Sequence, residues 1–250
     1  MENYLFKKSY QLKSFKNLSY KSLWGCKGIF TTIRLYGKSK NLILIDDHIK
    51  KFNKSTKEFN INLKLTKKFI LKTIEPHLLL IKYDHLLRIA CNKKILSISL
   101  RKRNKISKNF SIKLYSYVRP LYEYKHLKYK KILNLQKKIN IKNEEIIFYN
   151  NKSLLEGSTS NLIAVKKNNL YIPKSNYYYG VTLKYLLANS GMNIIKKNFK
   201  IQDLQNFSEL LIVGSGKEVV SVSYIKNIKW KRSSTKIYKK LKNTYNKLLI

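Results

Sequence analysis

LLEGSTSNLIAV, residues 154–165, sets a single carboxylate, Glu156, in a turn of small residues between two apolar runs that read as strands. Ser158, Ser160 and Asn161 are polar residues of the same stretch. Upstream, EYKHLKYKKIL (123–133) places Lys125 at the mouth of a predicted helix, 31 residues before the acid. Downstream, GVT (180–182) opens another helix, so Val181 and Thr182 fall in a first turn whose backbone N–H groups and dipole favour an anion. GSG (214–216) follows the apolar run ELLIV, and Ser215 and Gly216 offer a second backbone nest for the same anion.

A lysine, an acid and an anion-binding turn are the parts of a pyridoxal phosphate site. The cofactor needs an amine for a Schiff base, a carboxylate that keeps the pyridine nitrogen protonated, and N–H groups for its phosphate. Lysine suits the amine role because desolvation shifts its pKa readily, whereas arginine stays protonated. No metal is required.

Six segments in one order extend the pattern: GIFTTIRLYG (28–37), DDHIKKFNKS (46–55), YKHLKYKKIL (124–133), LLEGSTSNLIAV (154–165), YYGVTLKYLL (178–187) and LIVGSGKEVVSV (211–222). Together they resemble the class IV aminotransferase family, which includes branched-chain aminotransferases, D-amino acid aminotransferases and aminodeoxychorismate lyases. The resemblance implies that Lys125 is the Schiff-base lysine and Glu156 the partner of the pyridine nitrogen. It implies that Ser160 and Asn161 line the cofactor turn, and that Val181, Thr182, Ser215 and Gly216 hold the phosphate. Where the family carries a phosphate-binding arginine three residues after a histidine, this chain has Lys51 after His48, which keeps the charge and loses the bidentate fork. A second usual arginine is replaced by Leu183, with Lys184 beside it.

Within the family, the wording GIFTTIR and KHL is similar to aminodeoxychorismate lyases. The resemblance then implies that Thr32 assists proton transfer and that the substrate is the amine of 4-amino-4-deoxychorismate, split to 4-aminobenzoate and pyruvate in folate synthesis. The alternative is transamination by a branched-chain or D-amino acid aminotransferase. Arg88, in the strand-like LLRIAC (86–91), is a candidate carboxylate contact for either substrate. Family members are generally dimers, so a homodimer is expected.

The fold class expected is α/β (α+β), two-lobed, with the cofactor between a smaller N-terminal lobe (1–118) and a larger C-terminal lobe (119–250). Apolar runs at 29–36, 42–45, 86–91, 95–100, 112–117, 146–149, 162–165, 209–213 and 219–222 read as strands. Asp46 and Asp47 read as caps of a helix carrying His48 and Phe52, 65–75 reads as a helix stopped by Pro76, and Ile132, Leu135 and Ile139 as the core stripe of another.

At 250 residues and 44% hydrophobic content the chain can bury a sizeable core. Its formal charge of +40 would attract nucleic acid or anionic membrane at low salt. The charge is spread along the chain, however, and 47 of its 53 basic residues are lysine, so a dedicated nucleic-acid-binding protein is the competing class and no specific nucleic-acid partner is expected. A class IV fold that has lost activity is a third reading, motivated by Lys51 and Leu183. Cys26 and Cys91 give no disulfide framework and no metal-ligand spacing with the four histidines. No run has the length of a membrane span and the start has no hydrophobic signal core, so a cytoplasmic protein is expected; the basic, serine-containing start keeps an organelle transit segment as the alternative.

Overall fold

IFTTIRLYG alternates, so Ile29, Ile33 and Leu35 point to one face of a strand and Phe30, Thr32 and Arg34 to the other. The first set is almost fully buried in a hydrophobic core, and the second lies on a face that carries polar groups. That two-sided strand is the axis of the first of two units in the computed structural model, which describes residues 4–38, 41–78 and 82–249.

The first unit comprises Met1–Arg103, Tyr124–Lys130 and the extreme C-terminus. Its strands are β1 (Tyr4–Gln11), β2 (Asn17–Leu18), β3 (Ile29–Gly37), β4 (Asn41–Leu42), β5 (Tyr83–Cys91) and β6 (Ile95–Lys102), in the order β2-β1-β6-β5-β3-β4 with every pair antiparallel. Helix α1 (Ile45–Glu58) packs on β3 through Ile45 and Phe52, and α2 (Lys67–Ile74) adds Ile70 and Ile74 to the same core. Thr66 caps α2 by accepting from the Phe69 N–H at 3.2 Å.

Two local expectations change. The run 42–45 is not a strand of its own: β4 ends at Leu42 and α1 begins at Ile45, because Leu44 takes a left-handed conformation, φ 54°, that turns the chain into the helix. Leu44 is therefore the N-cap, and Asp46 and Asp47 sit inside the first turn, where they complement the dipole.

The second unit, Asn104–Glu123 with Lys131–Leu248, holds β7 (Phe110–Ser116), β8 (Glu144–Asn150), β9 (Ser153–Gly157), β10 (Asn161–Lys166), β11 (Asn169–Ile172), β12 (Ile194–Lys196), β13 (Glu209–Gly214) and β14 (Glu218–Ile225). They form one sheet in the order β12-β11-β10-β13-β14-β7-β8-β9. Pairing is parallel for β14–β7, β7–β8 and β11–β12, and antiparallel elsewhere. A short α3 (Lys130–Gln136) precedes β8, α4 (Val181–Asn189) packs on β13, and α5 (Lys236–Asn246) packs on β14. The predicted stripe of α3 stops early, since the helix ends at Gln136 before Ile139. Phe110, Ile147, Leu162, Ile212, Val222 and Trp230 are central to this unit's core.

Candidate active site

The sequence-predicted residues fall into two groups, one in each unit. In the first unit Lys125 is not at a helix mouth but in an extended segment that pairs with the start of β3. Phe30 N–H donates to the Lys125 carbonyl and Leu127 N–H to the Gly28 carbonyl, both at 2.8 Å, with His126 bridged to Ile29. That pairing locks the lysine backbone beside the Phe30 ring, and its Nζ lies 5.2 Å from the ring centroid. His48 of α1 is buried against the opposite face of β3, its Nδ1 2.9 Å from the Thr31 hydroxyl. Burial, together with the positive charges of Lys125 and Lys51 and against the opposing Asp47, pushes its pKa down to about 3, so the ring is neutral. Lys51 and Lys125 are thus close enough to His48 to act on it electrostatically.

Thr32 and Arg88 face each other across β3 and β5. The Arg88 guanidinium lies over the Trp24 ring at 3.7 Å and 5.6 Å from the Phe30 centroid, and its Nη2 donates to the Ser22 carbonyl at 2.8 Å. Trp24 in turn stacks on Tyr129. One Phe30 ring therefore has the amine of Lys125 on it and the guanidinium of Arg88 nearby.

In the second unit Glu156 lies within β9 rather than in a turn; the turn begins after Gly157. Glu156 is 3% exposed, and its carboxylate is gripped by Arg119, Nε to Oε1 at 2.8 Å and Nη2 to Oε2 at 3.1 Å, while Tyr178 N–H donates to Oε2 at 2.9 Å. Sequence reading missed Arg119. Its signal was an arginine, one of six in the chain, next to Pro120 and ahead of the lysine segment. A bidentate arginine is the geometry that holds a buried carboxylate in one orientation.

Beyond Glu156, Asn161 organises the helix start: its Oδ1 accepts from Gly180 N–H at 3.2 Å and its Nδ2 donates to the Tyr178 carbonyl. Gly180 is the N-cap of α4, and a Cβ there would run into the Asn161 amide oxygen. Val181 and Thr182 follow as the first helical residues, so their N–H groups are among those an α-helix leaves without intrahelical partners. The Thr182 hydroxyl is 3.4 Å from that of Ser215 in the turn that joins β13 to β14, and Gly214 lies against Thr159 and Ser160. The small-residue turn, the helix N-terminus and the 214–216 turn thus converge on one place. Leu183, which replaces the family's usual arginine, is fully buried, and Lys184 beside it is exposed.

The residues fit pyridoxal phosphate. A helix N-terminus with two hydroxyls can take a phosphate, and an arginine-held, acceptor-only carboxylate can take a protonated ring nitrogen. Among the described residues no group of three histidine, cysteine or acidic side chains could hold a metal.

The profile of the amino-transferase class IV family matches residues 28–225, and the chain belongs to that family. The chain's family makes it a pyridoxal phosphate enzyme of the aminotransferase or lyase kind. Among solved structures, a branched-chain aminotransferase from Thermoproteus uzoniensis is similar at 17% identity and TM-score 0.81, over 97% of this chain and 94% of that one. A Legionella pneumophila protein provisionally called a 4-amino-4-deoxychorismate lyase is similar at 17% identity and TM-score 0.77, over 88% and 91%. An aminotransferase from Brucella abortus, bound to its pyridoxal phosphate cofactor, is similar at 16% identity and TM-score 0.76, over 96% and 98%. No curated protein sequence matches the chain. No helix among the described residues is long and apolar enough to cross a membrane.

Proposed function

We propose that the chain is an aminodeoxychorismate lyase, releasing 4-aminobenzoate and pyruvate from 4-amino-4-deoxychorismate. The observation that carries this reading is the Phe30 cluster of the first unit, with Lys125 on the ring, Arg88 beside it on Trp24, and Thr32 directly across from Arg88. A carboxylate-bearing ring amine that flattens as it becomes aromatic matches an aromatic wall with a fixed guanidinium better than a short aliphatic side chain does.

Bound pyridoxal phosphate supplies an electron sink at the carbon that bears the substrate amine. Lys125 would hold the cofactor through its Nζ and, when that amine is free, would accept and donate protons there. The neutral His48 leaves Lys51 and Lys125 without a third cation among them. Arg119 holds the Glu156 carboxylate in place to accept from the ring nitrogen. Val181, Thr182, Ser215 and Gly216 would grip the phosphate, with Ser160 and Asn161 shaping the turn beneath, while Lys51 keeps in the first unit the positive charge of the family's arginine. Arg88 would orient the ring carboxylate, and Thr32 would help pass the proton lost from the amine-bearing carbon to the three-carbon side chain, which leaves as pyruvate when its carbon–oxygen bond to the ring breaks.

The alternative is transamination, favoured by the similarity to branched-chain aminotransferases. It uses the same Lys125 and Glu156 and returns a keto acid in place of an elimination product. We further propose a homodimer working in a reducing, cytoplasmic compartment; two free cysteines accord with that setting.

The test is an assay of purified protein with pyridoxal phosphate and freshly generated 4-amino-4-deoxychorismate. Equal release of 4-aminobenzoate and pyruvate, lost in Lys125→Ala, is the expected result. No release, with turnover of a branched-chain amino acid and 2-oxoglutarate instead, would replace the lyase by the aminotransferase. Light scattering of the same preparation checks the dimer.

A further inference from the structure

Glu145, at the start of β8 in the second unit, is 1% exposed and sits outside the set of residues assigned above. Its Oε1 accepts from the Ser158 hydroxyl at 2.5 Å and from Ile146 N–H at 3.1 Å. Its Oε2 accepts from the hydroxyls of Thr159 at 2.9 Å and Ser160 at 3.1 Å. Three consecutive side chains of the turn after Glu156 thus converge on one carboxylate. The direction of the Ser158 bond is settled by chemistry. Gln136 Nε2 donates to the same hydroxyl at 3.2 Å, so Ser158 accepts there and its own proton goes to Glu145.

The tied turn touches both phosphate-binding elements. Asn161, at its end, accepts from the Gly180 N–H that opens α4, and Thr159 and Ser160 lie against Gly214. From the second element comes Lys217, directly after Ser215 and Gly216, whose Nζ donates to the Ile141 carbonyl at 3.0 Å and lies 4.9 Å from the Phe110 centroid. Desolvation holds the Lys217 pKa below the ordinary lysine range, and the Glu145 charge works against that shift, so the two groups sense one another.

We propose that Glu145 is a positioning residue for the cofactor phosphate: by holding the hydroxyls of Ser158, Thr159 and Ser160 it fixes the turn against which the α4 N-terminus and the 214–217 turn are set. The proposal rests on the reading of these elements as a phosphate cradle. Glu145 acts through the turn, by way of the three hydroxyls it holds. A carboxylate is acceptor-only and can take three hydroxyl donors at once, whereas the isosteric amide must donate through its nitrogen and forces at least one hydroxyl to turn away.

The experiment is calorimetric binding of pyridoxamine 5′-phosphate and of pyridoxamine to full-length protein stripped of cofactor, for the parent chain and Glu145→Gln. The amine forms avoid covalent attachment to Lys125. In the parent, the phosphorylated ligand should bind more tightly. In Glu145→Gln, its Kd should rise about tenfold, the scale on which outer-shell partners tune the sites they support. The Kd for pyridoxamine should stay within about twofold, with the far-ultraviolet spectrum unchanged. Equal weakening of both ligands would make Glu145 a general structural residue and overturn the proposal, as would no weakening of either. A parent chain with no preference for the phosphorylated ligand would overturn the cradle reading itself, and the proposal with it. If Glu145→Gln does not fold, Thr159→Val, which removes one donor and leaves the carboxylate, is measured against the same outcomes.

Discussion

His48 gives the sharpest test of the first unit's electrostatics. Unfolded, its imidazole titrates near the ordinary value of 6.5; folded, burial and the nearby Lys125 and Lys51, opposed by Asp47, take it to about 3. Between those values the unfolded chain binds a proton that the folded chain does not. Stability must therefore fall as pH drops from about 6.5 toward 3, and this contribution is constant above and below that window. At pH 5 the loss from this one group is about 2 kcal/mol relative to pH 7.5, since at 1.36 kcal/mol per unit 1.5 units separate pH 5 from the unfolded value. His48→Asn removes the titration and keeps an acceptor for Thr31. Urea unfolding of both proteins at pH 7.5 and pH 5 should show the parent losing about 2 kcal/mol more than the variant. An equal loss in both would mean that His48 accepts its proton in the folded state and that the burial argument is wrong.

Arg119→Leu should destabilise the protein by roughly 3–5 kcal/mol by leaving Glu156 buried without its partner, and Arg119→Leu/Glu156→Leu should recover a large part; a single-variant cost under about 1 kcal/mol in urea titrations would contradict a buried ion pair. In the native protein Cys91, buried with its pKa pushed up to about 12, should resist iodoacetamide while the half-exposed Cys26 reacts, and mass mapping that finds Cys91 labelled first would refute the placement. Gly180→Ala pushes a methyl into the Asn161 amide oxygen at the helix start, so pyridoxal phosphate affinity should fall by about tenfold or more, by about 1.4 kcal/mol, in an absorbance titration; unchanged affinity would show that this turn takes no part in binding.

Eight of the fourteen strands among the described residues were legible because their alternation or continuous apolar character is local: β3, β5, β6, β7, β8, β10, β13 and β14 each coincide with an expected run. The parallel pairing of β14 with β7 and of β7 with β8 was not legible, because pairing order is set by which faces bury together and leaves no mark in any one segment. β1, with its lysines at positions 7 and 8, falls in the basic start and under no expected run, because its place between β2 and β6 is set by pairing. Lys125 was found with the wrong local structure: the helix α3 begins only at Lys130, and the lysine is held by extended pairing to β3 from nearly a hundred residues away.

What the residues determine on their own is the chemistry on offer. An amine at Lys125, a carboxylate at Glu156, a glycine-led helix start at Val181 and Thr182 and a Gly-Ser-Gly turn can be named because each role demands a residue type in a local setting. The partners are another matter. That Arg119 grips Glu156, that Glu145 gathers Ser158, Thr159 and Ser160, that His48 is buried neutral near two lysines, and that Arg88 lies on Trp24 across from Thr32 all depend on contacts between segments far apart in the chain. A carboxylate or an arginine in sequence is most often a surface charge. Burial and the loss of competing water make it a partner of one group, and folding alone decides which group that is.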